Sequence, residues 1–317
     1  MRPDQAPVSD DHTLTNGTVD IVVSVGDGLR ISRYGLGGSA NLLAPAGNRS
    51  TATPYGPWRP IGGHRLWVAP ESMPGSYAPD ALPIACAVRN ARTGMFIQPA
   101  DDAGIEKRLA ISLAATGSRV TVTHTIVNRT CWPIEVAPWA ISIVPGRASA
   151  FVPQPRFQSH TENFLPARAM VQWPYTDLSD PRWVVGPRLI RLTPDATRGQ
   201  AQKIGVGNEA GWCAVHLDDL VFVKRFEWQA GARYPDFGCN NELFTIEDYL
   251  EVETLGPFAL LAPGDAAAHT EQWSLFRAQP ASAREDEQLE LLESLLSLDG
   301  SSASPSTGSG PSIPGRP

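Results

Sequence analysis

The sequence has no apolar run approaching the ~20 residues that a bilayer-crossing helix needs. No apolar core follows a basic region near its start either, where Met1 to His12 is polar and acidic. Neither a membrane partner nor a secretory signal is expected, and a cytoplasmic location is. Cysteine is scarce: Cys86, Cys131, Cys213 and Cys239 contain no Cys-x-x-Cys pair. In a chain this long that argues against a disulfide framework or a zinc site, and for buried free thiols. A basic surplus is also missing. The formal charge is -7, and residues 284–299, with six acids against Arg284, hold -5 of it. The rest of the chain is close to neutral and offers no electrostatic footprint for nucleic acid. No motif asks for a cofactor or a metal, and nothing bears on oligomeric state.

Helix-period segments are absent between the apolar runs, while 29 prolines and 28 glycines punctuate the links. The pattern is therefore all-β, a large antiparallel β-sandwich with a C-terminal helix. Val19–Val25 and Leu29–Tyr34 read as a hairpin around Gly26-Asp27-Gly28. Further strands are expected at Ile84–Val88, Met95–Gln98, Ile105–Leu113, Arg119–Val127, Ile134–Val144, Arg188–Leu192, Trp212–Leu217, Leu220–Glu227 and Tyr249–Leu255. Phe151–Pro187 is expected to be a long irregular rim over one face, ordered by Trp173, Tyr175 and Trp183. The domain plan is a flexible 1–17, a sandwich over 18–278, an acidic amphipathic helix over 283–299 with Leu289, Leu292, Leu295, Leu296 and Leu298, and a Ser/Gly/Pro tail over 300–317. The helix docks on its own domain or binds a partner.

Tyr249–Leu255 organises the chemistry. On a strand, Leu250, Val252 and Thr254 share one face, so Glu251 and Glu253 share the other. They are either two solvated charges or, on a concave sheet, a paired acidic floor whose repulsion and burial raise a carboxyl toward a usable general base. Val252-Glu253-Thr254, then Ala262-Pro263-Gly264-Asp265, then Thr270-Glu271-Gln272-Trp273-Ser274-Leu275-Phe276 resemble, in order and approximate spacing, the C-terminal part of galactose mutarotases (aldose 1-epimerases). That resemblance implies the mutarotase-type supersandwich, a small-molecule saccharide partner, and Glu253 as catalytic base. Arg119–Thr130 with Pro133–Val136 is similar to the family's strand and turn. The family's acid histidine follows there in an Asn-His-x-Tyr-Phe context, whereas this chain has Ala137-Pro138-Trp139-Ala140-Ile141. It therefore resembles a branch lacking the usual general-acid histidine, with Trp139 as occupant.

A second candidate stretch is Arg59 to Glu71. Gly62-Gly63 permits close backbone approach to a ligand and delivers His64 and Arg65 beside Trp67 and Glu71, residue types that sugar sites combine. The alternative is a glycine turn with an incidental histidine. His64 is the histidine placed to take the acid's part, as catalytic partner of Glu253. Lys224 and Asp236 are further candidate ligands, although Lys224 and Arg225 must face opposite ways on a strand and turn geometry alone explains Asp236. Arg65, Trp67, Glu71, Trp139, Trp173, Tyr175, Lys224, Asp236 and Glu251 are thus expected to bind substrate. The function expected is a carbohydrate-binding protein with aldose 1-epimerase-type isomerase chemistry; the alternative is a non-catalytic binding or sensing module. Hydrolase or lyase chemistry on Glu251 and Glu253 is disfavoured, because same-face neighbours are not an opposed acid pair.

Overall fold

The computed structural model describes residues 11–26, 28–47, 49–80, 82–279 and 284–300. Two ten-stranded sheets carry the fold. The first runs His12–Thr15, Val19–Ser24, Arg30–Leu36, His64–Ala69, Ile134–Pro145, Tyr249–Leu255, Asn241–Ile246, Gln202–Val206 and Met170–Gln172, with Ala259–Leu261 added to Ile134–Pro145. The second runs Trp183–Val185, Leu189–Leu192, Ser149–Pro153, Trp212–Leu217, Leu220–Phe226, Ala266–Arg277, Val120–Asn128, Ile105–Leu113, Thr93–Gln98 and Ala85–Asn90. Ile105–Leu113 alternates buried and less buried residues along most of its length, the signature of one face on the core and one outward. The facing sides close over a core that includes Tyr34, Phe96, Phe222 and Trp273.

The turn expected before the closing strand is present: Gly264 has φ 92°, and the amide of Asp265 donates to the Ala262 carbonyl at 2.9 Å. Three expectations change. His12–Thr15 is a strand paired with Val19–Ser24, because Leu14 is buried in the core. The Phe151–Pro187 stretch contains the end of Ser149–Pro153 and the whole of Met170–Gln172 and Trp183–Val185, short pairings too weakly patterned to stand out from their loops. All four cysteines are free, but Cys86 and Cys131 are exposed and only Cys213 and Cys239 are buried. The expected tail beyond residue 300 and the first ten residues lie outside the described residues. Among the described residues, no helix is long and apolar enough to cross a membrane.

The helix Glu285–Gly300 lies on the outer side of the second sheet, where Leu289, Leu292 and Leu295 pack with Phe151, Leu189, Trp212, Val221 and Val223. Glu285 fixes its start by accepting the backbone N–H groups of Arg188 (2.9 Å) and Leu189 (2.6 Å). Glu285→Ala should lower stability by about 1–2 kcal/mol, since two hydrogen bonds to a charged acceptor are lost at a partly buried site. An unchanged urea midpoint would show that the leucines alone hold the helix.

Candidate functional site

Strand parity builds the site. Trp67 pairs with Trp139 and Arg65 with Ile141 across the His64–Ala69 and Ile134–Pro145 strands. Ile141 faces Glu253 and Ile143 faces Glu251 on the next strand, which in turn oppose Glu242 and Phe244. Phe244 opposes Lys203. Directly opposed residues share a face, so this whole set projects from the outer side of the first sheet.

There it meets a cavity of about 420 Å³, walled by Trp58, Trp67, Tyr77, Trp139, Trp173, Tyr175, Phe244 and Tyr249, with Arg49, Arg65, Glu71, Lys203 and Glu251 supplying charge. The indole of Trp67 lies 5.0 Å from that of Trp58 and 5.4 Å from that of Trp139, centroid to centroid. The guanidinium of Arg65 sits over Trp67 at 4.6 Å and Lys203 Nζ over both Trp139 and Trp173 at 4.7 Å. Each ring face attracts the cation over it by about 0.5–2 kcal/mol, which offsets part of the cost of leaving water.

Beneath the wall is a buried charge cluster. Glu253 Oε2 accepts from Trp139 Nε1 at 2.8 Å and from Lys203 Nζ at 3.0 Å, and Lys203 Nζ is 2.7 Å from Glu242 Oε2. Burial opposes the Lys203 ammonium, but Glu242 and Glu253 outweigh it and hold its pKa well above the ordinary value. One ammonium does not neutralise two carboxylates. Burial, reinforced by the charge of Glu253 and opposed by Lys203, holds Glu242 well above the carboxylate range. Oε1 of Glu253 and Oε1 of Glu242 have no hydrogen-bond partner among the described residues.

Glu251 differs. It lines the cavity, and its nearest cation is Arg65 Nη2 at 3.5 Å, beyond good hydrogen-bond length. Burial lifts its pKa to about 7, with Arg65 opposing and Glu253 adding to the rise. Burial also raises the phenols of Tyr77, Tyr175 and Tyr249, keeping them neutral donors.

Of the residues expected from sequence, the cavity brings together Arg65, Trp67, Glu71, Trp139, Trp173, Tyr175 and Glu251. Glu71 accepts the hydroxyl of Tyr77. Glu253 is fully buried behind Trp139 and Lys203 and does not line the cavity. His64 corrects the expected pairing with Glu253: it opposes Ser142 on the inner face of the sheet, between the sheets. Its Nδ1 is 2.8 Å from Ser142 Oγ and its Nε2 2.6 Å from His124 Nε2. Burial lowers its pKa well below the ordinary value.

Lys224 also lies inside, 2.8 Å from Glu271, and Asp236 stands on a left-handed turn outside the cavity lining. Trp183 is buried away from the cavity, donating to Gln202 Oε1 at 3.0 Å. Gly62-Gly63 serves the backbone: a Cβ on Gly62 would lie 2.4 Å from the Ala44 carbonyl oxygen, and one on Gly63 2.5 Å from that of Ile31.

His64, His124 and Glu271 offer ligand atoms within 4.8 Å of one another. Each of the three also has hydrogen-bond partners within the protein. His124 Nδ1 donates to the His269 carbonyl, His64 Nε2–H to His124 Nε2, and Ser142 to His64 Nδ1. Glu271 accepts from Lys224, Thr254 and Trp273.

Sequence reading missed Lys203, Glu242, Trp58, Tyr77 and Tyr249 as members of the site. The available signal for Lys203 was a lone lysine in the otherwise uncharged run Gln202-Lys203-Ile204-Gly205-Val206, every residue of which is buried.

No family model matches the sequence, and no curated protein does. Solved structures do. A galactose mutarotase-like protein from Lactobacillus casei superposes with a TM-score of 0.55 at 12% identity, over 84% of this chain and 100% of that one. A galactose mutarotase related enzyme from Lactobacillus acidophilus gives 0.53 at 8% identity, over 85% and 98%. A TPR-domain containing protein from Parabacteroides distasonis gives 0.56 at 12% identity, over 93% of this chain and 56% of that one. With its two apposed ten-stranded sheets, the chain has the galactose mutarotase-like fold, in a divergent form whose motif glutamate, Glu253, is buried against Lys203 and Trp139.

Proposed function

We propose that the outer cavity of the first sheet binds a saccharide and that the protein is a carbohydrate-binding protein. One observation carries this: a cavity of about 420 Å³ in which indole faces alternate with guanidinium, carboxyl and phenol groups. Flat apolar rings suit the C–H faces of a pyranose, and the interspersed charges suit its hydroxyls. Fold likeness alone does not supply the activity, because function resides in the site. A small-molecule partner in the cytoplasm, without nucleic acid or membrane, completes the reading.

Aldose 1-epimerase-type chemistry is the second reading, favoured by Glu251, a carboxyl with pKa about 7 in the cavity lining. Such a group serves as a proton acceptor near neutrality.

Tryptophan fluorescence should change on titration with D-glucose, D-galactose or their disaccharides. Trp173→Ala should weaken the best of these about tenfold, the order of one lost aromatic contact. If none of a broad panel of neutral and acidic saccharides perturbs the fluorescence or gives heat in calorimetry, the saccharide assignment is wrong.

A further inference from the structure

We propose that His64, His124 and Glu271 form a metal site between the two sheets, which takes a divalent transition-metal ion of the zinc class and ties the first sheet to the second. The site lies on the opposite face of the first sheet from the outer cavity and is independent of the saccharide reading.

The ligands come from three strands: His64 from His64–Ala69 in the first sheet, His124 from Val120–Asn128 and Glu271 from Ala266–Arg277 in the second. All three are fully buried. His64 Nε2 is 2.6 Å from His124 Nε2 and 4.0 Å from Glu271 Oε2, and His124 Nε2 is 3.9 Å from the same oxygen. Atoms at these three separations lie on a circle of radius about 2.1 Å, the length of a zinc–imidazole or zinc–carboxylate bond. An ion at its centre therefore reaches all three. The nitrogens, closer than in an ordinary N–H hydrogen bond, need only part to roughly 3.3 Å to open a tetrahedral angle at that bond length.

The groups behind the ligands suit the same role. An imidazole that binds a metal characteristically donates its other ring N–H to a carbonyl, carboxylate or other oxygen. His124 already does so, from Nδ1 to the His269 carbonyl at 3.1 Å, which leaves its Nε2 lone pair aimed into the group. His64 Nδ1 is 2.8 Å from Ser142 Oγ. Moving the His64 proton from Nε2 to Nδ1 makes Ser142 the acceptor and frees Nε2 for the ion. Glu271 is fixed by Trp273 Nε1 at 2.8 Å on Oε2, and by Thr254 Oγ1 at 2.5 Å and Lys224 Nζ at 2.8 Å on Oε1.

Donor type selects the ion. Two imidazoles and one carboxylate suit zinc and its neighbours, whereas calcium and magnesium prefer oxygen ligands throughout. Among the described residues no fourth side chain joins the group, which leaves the fourth position to water. Lys224 is the opposing charge: its ammonium neutralises Glu271 in the metal-free protein and repels a dication.

The test uses tag-free full-length protein, unfolded in urea with a chelator, freed of both, and refolded with or without zinc sulfate. After desalting, the zinc-refolded wild type should hold about one zinc per chain by plasma mass spectrometry and unfold at a higher urea concentration than its metal-free counterpart. Refolded in cobalt(II), it should show the visible bands of a four-coordinate ion. The sulfur-to-cobalt charge-transfer band of the near ultraviolet should be missing, because the donors are nitrogen and oxygen. Ser142→Ala, which leaves all three ligands in place, should weaken zinc about 10–100-fold. His124→Gln and Glu271→Gln, where folded by circular dichroism, should lose the metal. Lys224→Met leaves Glu271 without its counter-charge, so it should bind zinc more tightly than wild type and regain stability on zinc addition.

Wild type that refolds yet retains no zinc, cobalt, iron or nickel overturns the proposal. A cobalt spectrum with sulfur charge transfer also overturns it, by placing the ion on a cysteine. Zinc held equally well by wild type, Ser142→Ala and Lys224→Met is adventitious and has the same consequence.

Discussion

Lys203→Met should lower the stability of the protein by about 3–5 kcal/mol at pH 8, the cost of leaving a buried charge without its partner. Lys203 is held by Glu242 at 2.7 Å and Glu253 at 3.0 Å, with side-chain exposures of 5%, 0% and 0%. Removing the ammonium leaves Glu253 with the Trp139 indole as its one side-chain donor among the described residues. The loss should depend on pH in a defined sense. In the variant Glu242 loses the Lys203 charge that opposes the rise caused by burial, so the folded state binds more protons than the unfolded chain and stability falls as pH rises above the ordinary carboxylate range. In wild type the raised Lys203 pKa keeps its contribution fully present throughout neutral pH. The gap between the proteins should therefore widen from pH 5 to pH 8. Adding Glu242→Gln and Glu253→Gln to Lys203→Met should return most of the loss, because the charges are then removed together. A gap that is small at pH 8, or constant with pH, would show that water or rearrangement already screens the cluster.

Glu251→Gln should have the opposite effect. The folded-state pKa of about 7 stands above the ordinary value of 4.5. Wild type thus holds the proton more tightly when folded and loses stability as pH rises between those values. At 1.36 kcal/mol per unit, the penalty reaches roughly 3 kcal/mol above pH 8. Glutamine mimics the protonated acid, so the variant should match wild type at pH 4 and exceed it by up to about 3 kcal/mol at pH 8. Urea midpoints at the two pH values measure this. A pH-independent difference would mean that Glu251 ionises normally, and would also remove the basis for its proton chemistry. Under the proposed reading, a carboxylate that costs stability when ionised is a stability–function trade-off at one position.

The strands were legible because their signal is local. Ile105–Leu113, Trp212–Leu217 and Tyr249–Leu255 have the bounds that alternation and flanking turns predict. The same period of two puts Glu251 and Glu253 on one face, and it equally requires that His64 and Arg65 point apart. Alternation cannot say which face meets the second sheet. That was decided when Ala266–Arg277 brought Glu271 to within 4.0 Å of His64, enclosing the histidine and leaving Arg65 outside.

The cavity depends on distant partners in the same way. Trp139 and Glu253 are 114 residues apart, and Lys203 and Glu253 are 50 apart. A motif match names Glu253 because it reads neighbours along the chain. Whether that carboxylate faces a ligand or a lysine depends on what the adjoining strands deliver. The sequence by itself determined an antiparallel β architecture, a leucine-faced C-terminal helix and a shared face for two glutamates, because backbone sterics and side-chain alternation act over a few residues. Only the tertiary structure decided that Glu251 opens to the cavity while Glu253 is closed off by Lys203, because burial and charge pairing are set by side chains brought together across the sheet.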